Sequence, residues 1–271
     1  MCDWNVYGVS LAYNVHIDVY GVYKRYGVRM APQKKSALDP SLWDRLERPA
    51  STQRTALTLQ KIAAVAVEIA DAEGYPAVTM RRLATELGVA PMAAYRHVSD
   101  KYELSVLMVE WVTGELVVPD GVTGWRDTLR AFAVQARQLM LNHPWLAHMP
   151  TPLYALTPSR MAVAERQLAS LDGLGLDADQ MMVAFRTVNS YVQGSTQAEV
   201  VLRRYRDEQG WSSGHESREA LAPQMNYLME TGRYPTYERY GLSATRKDDD
   251  AWTFESGLDC VLDGIAARLG I

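Results

Sequence analysis

The stretch Leu83–Val98, LATELGVAPMAAYRHV, sets two short apolar-periodic runs on either side of Gly88. Glycine accepts a positive φ at no steric cost, so it ends the first run as a helix C-terminus, and the second run restarts within two residues. So short a connection forces a sharp corner between two helices. Such a corner is either ordinary helical packing or a helix-turn-helix that presents its second helix to DNA.

The flanking sequence supplies the rest of a helical head. From Thr58, Ile62, Val65 and Ile69 recur at three- and four-residue spacing on one face until Glu73-Gly74 stops the run. Thr79 is a good N-cap for the next helix, with Leu83 and Leu87 facing inward. The third helix is expected over Ala90 to His97. Ser99-Asp100 then caps a fourth, whose core positions are Leu104, Leu107, Met108 and Trp111. Beyond Gly124 the pattern predicts helices over 125–142, 159–171, 178–205, 218–230 and 250–269, with no convincing strand. The fold class is all-α.

Charge divides the chain by task. The net charge of −4 argues against a nucleic-acid binder, but residues 24–54 carry eight Lys/Arg against three acids, while residues 105–271 carry fifteen against twenty-one. A basic end can meet phosphates and an acidic remainder cannot. Residues 31–54, punctuated by Pro32, Pro40 and Pro49, predict a flexible basic arm with a short helix around Leu42–Leu46. Residues 1–30 are Val-, Tyr- and Gly-rich, suited to a strand or to no element. The composition break at Met30 predicts a translation start there, or a dispensable segment over 1–29. The expected division is 1–54 as extension and arm, 55–104 as DNA-binding domain, and 105–271 as ligand-binding and dimerisation domain.

Several classes fall away. No apolar run reaches bilayer length, and no basic n-region precedes an apolar core as in a secretory signal. Cys2 and Cys260 lie at opposite ends, so a reducing cytoplasm is the simpler setting. His143 and His148 are five apart and do not share a helical face as an i,i+4 pair does, so no metal and no cofactor is expected. No Gly-rich phosphate loop and no nucleophile with a placed histidine is present, which argues against a helical enzyme. A ligand-independent, nucleoid-type DNA binder has little use for an acidic, aromatic-rich C-terminal half.

The segment Leu57–Met108 resembles the N-terminal domain of the TetR family of bacterial repressors. The likeness rests on Ala72-Glu73-Gly74, on Thr-Met-Arg-Arg-Leu-Ala from Thr79, on Leu87-Gly88-Val89, and on Tyr95, His97, Val98 and Lys101. Trp125-Arg126, His143-Pro144-Trp145 and the closing run from Phe254 to Gly264 resemble the ligand-binding half of the branch containing the tetracycline repressor. The resemblance implies base-edge contacts from Arg81 and from Ala90, Pro91, Met92 and Ala93. It places phosphate contacts on Thr79, Tyr95, His97 and Lys101. Arginine can grip guanine bidentately, whereas Met92 and Ala93 reach only thymine methyls. This sequence departs from the family where Ala90, Pro91 and Ala93 replace side chains with donors, which leaves more to Arg81, Arg96 and the arm.

The resemblance also implies an unknown small-molecule effector and a homodimer on operator DNA. Trp111, Met140, Trp145, Met149, Tyr154, Met182, Phe185 and Tyr191 are the apolar candidates for the effector cavity. The dimer is expected to form a four-helix bundle from 183–200 and 250–269. Its faces would carry Val188, Tyr191, Val192 and Ser195, and Phe254, Leu258, Val261 and Ile265. An apolar stripe of this kind does not say whose core it joins.

Overall fold

The computed structural model describes residues 41–47, 57–119, 121–149 and 157–271. The expectations for residues 1–40, for most of the basic arm and for Tyr154 lie outside the described residues. The chain divides into two units, Met1–Leu42 and Trp43–Ile271, and the packed helical body is the second.

The described elements are helical. A short helix α1 (Ser41–Glu47) precedes α2 (Leu59–Glu73), α3 (Met80–Glu86), α4 (Pro91–Tyr95) and α5 (Lys101–Thr113). Thr58 caps α2 and Thr79 caps α3, each Oγ1 accepting from the backbone N–H three residues on. Gly88 takes φ 67° at the corner, the left-handed geometry its position demands. Ile62, Leu83, Val98, Leu104 and Leu107 are buried and form the interior of this head.

The third helix is shorter than expected. It ends at Tyr95, and Arg96 and His97 lie beyond it. Ala90 has no side chain to cap the first turn, and at the other end His97 and Val98 both donate their N–H to the Ala94 carbonyl, which tightens the chain out of the helix.

The C-terminal half contains α6 (Trp125–Asn142), a 3₁₀ segment (Pro144–His148), α7 (Pro158–Ala169) and α8 (Ala178–Gln209). It closes with α9 (Gly214–Glu230), α10 (Pro235–Ser243) and α11 (Asp250–Leu269). The long α8 opens with a capping box between Asp177 and Gln180. α9 begins four residues earlier than the periodicity indicates, because Ser213 caps it, and α10 lies outside the expected helices.

One core joins α6, α8 and α11 through Leu129, Ala133, Ala184, Val188, Val192, Phe254, Leu258, Leu262 and Ile265. The residues expected at the dimer faces contribute to this core. Val188, Val192, Phe254, Leu258 and Ile265 are buried within a single chain, Val261 and Tyr191 pack against the same core, and the Ser195 hydroxyl donates to the Tyr191 carbonyl. Each buried Leu or Ile contributes about 1.5–3 kcal/mol to this core.

Among the described residues no helix is long and apolar enough to cross a membrane.

Candidate nucleic-acid interface and effector cleft

The corner between α3 and α4 leaves a distinct set of side chains in solvent. Thr79, Arg81, Ala90, Pro91, Met92, Tyr95 and Lys101 are exposed, Ala93 and His97 are half-buried, and Ala94 and Val98 turn inward. Met92 is 69% exposed. Tyr95 is also exposed, so its ring is not part of the core.

The two adjacent arginines differ in what holds them. Arg82 donates to Glu73 Oε1 from Nη2 at 2.7 Å and to Glu86 Oε2 from Nη1 at 2.5 Å. These hydrogen bonds raise its pKa above the ordinary arginine value. Arg81 makes no side-chain hydrogen bond or ion pair among the described residues; only its carbonyl is used, accepting from Thr85 Oγ1. Arg82 is thus tied to α2 and to its own helix, whereas the Arg81 guanidinium is exposed. The Lys101 ammonium lies 4.4 Å from the centroid of the Tyr75 ring, and partial burial there lowers its pKa.

Among the described residues of the basic arm, Leu46 accepts at its carbonyl from Gln60 Nε2 at 2.8 Å, and Arg45 reaches the end of α4. Arg45 Nη1 donates to the His97 carbonyl at 3.0 Å and Nη2 to Glu103 Oε1 at 2.5 Å. Glu103 is buried, and its other oxygen accepts from the Ser99 N–H at 2.6 Å. Arg45 therefore anchors the end of α4 and the start of α5. Its place among the arm's many cations gives no sequence signal for this contact.

In the C-terminal half an open cleft lies among α5, α6, α7 and α8. Val109, Leu116, Ala136, Leu139, Met140 and Val192 supply apolar wall, and Leu146 of the 3₁₀ segment joins them. Thr113, Arg160, Asn189 and Gln193 are its polar members. A smaller extension adds Phe132, Val163, Gln167 and Val188.

Among the described residues, Met140 alone of the expected cavity residues lines this cleft. Trp111 is 42% exposed on the outer side of α5, and Met182 and Phe185 are half-buried away from the lining. Tyr191 packs on Phe254, with ring centroids 5.6 Å apart. Met149 is buried outside the lining, and Trp145 is buried with its indole N–H on Asp71. Helical spacing identifies apolar faces but not which face surrounds a void. The polar lining residues belong to helices far apart in sequence, so no local pattern groups them.

Comparisons with known proteins agree with this arrangement. Residues 62–106 match the family model for bacterial regulatory proteins of the tetR family, and residues 118–269 match that for the tetracyclin repressor-like C-terminal domain. The chain is 33% identical over 226 residues to the HTH-type transcriptional repressor DrrR1 of Streptomyces coeruleorubidus, covering 83% of each protein. It is 30% identical to an HTH-type transcriptional regulator of Saccharopolyspora erythraea, covering 85% of this chain and 93% of that one. The solved structure of ActR from Streptomyces coelicolor with actinorhodin superposes with a TM-score of 0.64 at 26% identity, over 78% of this chain and 96% of the other. On its sequence, its helical architecture and these matches together, the chain belongs to the TetR family of bacterial transcriptional regulators.

Proposed function

We propose that the protein is a cytoplasmic, homodimeric repressor that binds operator DNA through α3 and α4 and is released when a small molecule occupies the C-terminal cleft. The observation that carries this reading is the contrast between Arg81 and Arg82: one cation is held by two carboxylates, and its neighbour is left in solvent, as are Pro91 and Met92. Arg81 and the first turn of α4, Ala90 to Ala93, face base edges. Thr79, Tyr95, His97 and Lys101 meet phosphates. Residues 55–104 form the reader and residues 105–271 the effector and dimerisation part, with residues 1–54 as an extension.

The similarity to ActR, solved with actinorhodin, supports a small-molecule effector. Release is a population shift: DNA selects one spacing of the two α4 helices, about 34 Å along the duplex, and the effector selects another. The dimer would use the outward sides of α8 and α11, where Gly194, Val201, Cys260 and Gly264 are exposed.

Fluorescence anisotropy with DNA from upstream of the gene tests the reading. Arg81→Ala is expected to cost about 1–3 kcal/mol and relax preference at one base pair. Lys101→Ala is expected to weaken all sequences alike and reduce the salt slope by about one unit. Arg82→Ala should leave base preference intact. An Arg81→Ala protein with unaltered preference would remove Arg81 from the base-reading set.

A further inference from the structure

The leading turn of α4 is poor in groups that could hydrogen-bond a base. The side chains of Ala90, Pro91, Met92 and Ala93 carry no hydroxyl, amide or charge. Pro91 also lacks an N–H, and the Ala93 N–H donates to the Ala90 carbonyl at 2.8 Å. Ala90, Pro91 and Met92 are nevertheless exposed, and Met92 keeps 69% of its surface in solvent against 46% for Tyr95. We propose that α4 selects thymine by its 5-methyl group, and that Met92 is the side chain that sets this preference. The inference rests on α3 and α4 being the DNA-reading pair and adds the class of base that α4 reads.

Helical spacing places Met92 on the outward face. Met92, Tyr95 and Arg96 fall at i, i+3 and i+4 and all are exposed, while Ala94 and Val98 are buried. The whole of α4 lies within residues 62–106, the stretch that matches the tetR family model. An apolar side chain on that face therefore meets the floor of a major groove.

Only one of the four base edges on that floor has an apolar group. Guanine presents two acceptors, adenine an acceptor and a donor, cytosine a donor, and thymine an acceptor and a methyl. An apolar turn pressed on any of the first three strips water from polar atoms and returns no hydrogen bond. Against thymine the same turn buries the methyl, and a buried group of that size is worth about four-fold in affinity. Methionine suits this contact, because its unbranched chain and polarizable sulfur adapt to a methyl whose position changes from one base step to the next. Polar readout is left to side chains with donors, of which Arg81 and Arg96 are exposed.

The full-length protein can select its own sites from a random duplex library long enough for two half-sites one helical turn apart. Each thymine of the selected half-site is then replaced by deoxyuridine, which deletes the methyl and keeps the base pair. Fluorescence anisotropy should show a loss of about four-fold at one of these positions in the wild type, and under about two-fold there in Met92→Ala. Cytosine at that position should bind more weakly than deoxyuridine, and 5-methylcytosine should recover about four-fold over cytosine. Met92→Gln keeps the length and adds an amide, so its selected base should move from thymine towards adenine, which glutamine holds bidentately. Met92 lies outside the core, so both variants are expected to keep the wild-type circular dichroism spectrum.

A library from which no sequence is enriched overturns α3 and α4 as the reading pair, and the methyl assignment falls with it. Enriched half-sites without thymine, or whose thymines all tolerate deoxyuridine, leave the reading pair standing and overturn the methyl assignment. A deoxyuridine loss that persists undiminished in Met92→Ala removes Met92 from the role, as does a Met92→Gln protein that still selects thymine.

Discussion

The Asp71 carboxylate, in the last turn of α2, accepts a 2.8 Å hydrogen bond from the buried indole N–H of Trp145 in the 3₁₀ segment. The same carboxylate lies 2.9 Å from His143 Nδ1, and His143 Nε2 faces Glu115 at 3.1 Å. A helix of the DNA-reading head is thereby tied to the segment that supplies Leu146 to the cleft wall. Asp71→Ala would leave the indole N–H buried without its acceptor. We expect a loss of about 1–3 kcal/mol in urea unfolding, with a red-shifted tryptophan emission. An unchanged midpoint would mean that the indole finds another acceptor.

A second relationship sets the spacing of α8 and α11. A Cβ built on Gly257 would lie well inside contact distance of the Tyr191 ring and hydroxyl, so only glycine lets this tyrosine cross the helix. Tyr191 uses the space to donate to the Phe254 carbonyl at 2.7 Å. Gly257→Ala is expected to destabilise the chain by about 1–3 kcal/mol through overpacking. Adding Tyr191→Ala should make the effects non-additive, with the alanine at 257 costing little in that background.

The same tyrosine makes stability depend on alkaline pH. Burial raises the pKa of the Tyr191 phenol above its ordinary value, so the folded chain favours the protonated form. That contribution is fully present below the unfolded pKa of about 10 and is lost as pH rises through the higher folded value. Urea midpoints measured upward from neutral pH should fall more steeply in the wild type than in Tyr191→Phe. Parallel curves would assign the loss to other groups.

The outward faces of α8 and α11 give a test of the dimer. A Cβ at Gly194 or at Gly264 meets nothing within 4 Å in the chain itself. Gly194→Glu and Gly264→Glu are therefore expected to keep the wild-type helical content and to sediment as monomers that have lost tight DNA binding. Leu258→Asp should behave differently: Leu258 is fully buried in its own core, so the substitution should unfold the C-terminal half. Dimers formed by both glutamate variants would place the interface elsewhere.

The head is legible in the sequence because its signals are local. Thr79, Gly88 and the Leu83 periodicity each act within a few residues, and the structure has the cap, the turn and the buried leucine where those rules require them. The cleft is not, since Val109, Ala136, Arg160 and Asn189 come from four helices and only packing brings them together. The stripe from Phe254 to Ile265 is plain in the sequence, and within the chain it packs into the core of α6, α8 and α11. Periodicity measures which side is apolar and is silent on what covers it. The contact between Asp71 and His143 escapes for a related reason: no rule of spacing relates positions 72 residues apart.

The tie from Arg45 bears on how the protein can be dissected. Glu103 sits buried in the DNA-reading head, and its counter-charge comes from α1, ahead of the boundary expected from the sequence at residue 55 and of the family match that begins at residue 62. A fragment cut at either point would retain the acid and discard its cation, leaving a buried carboxylate without its counter-charge. The minimal autonomous DNA-reading piece of this chain thus begins upstream of Arg45, and the short helix that looks like a linker is part of the domain it leads to.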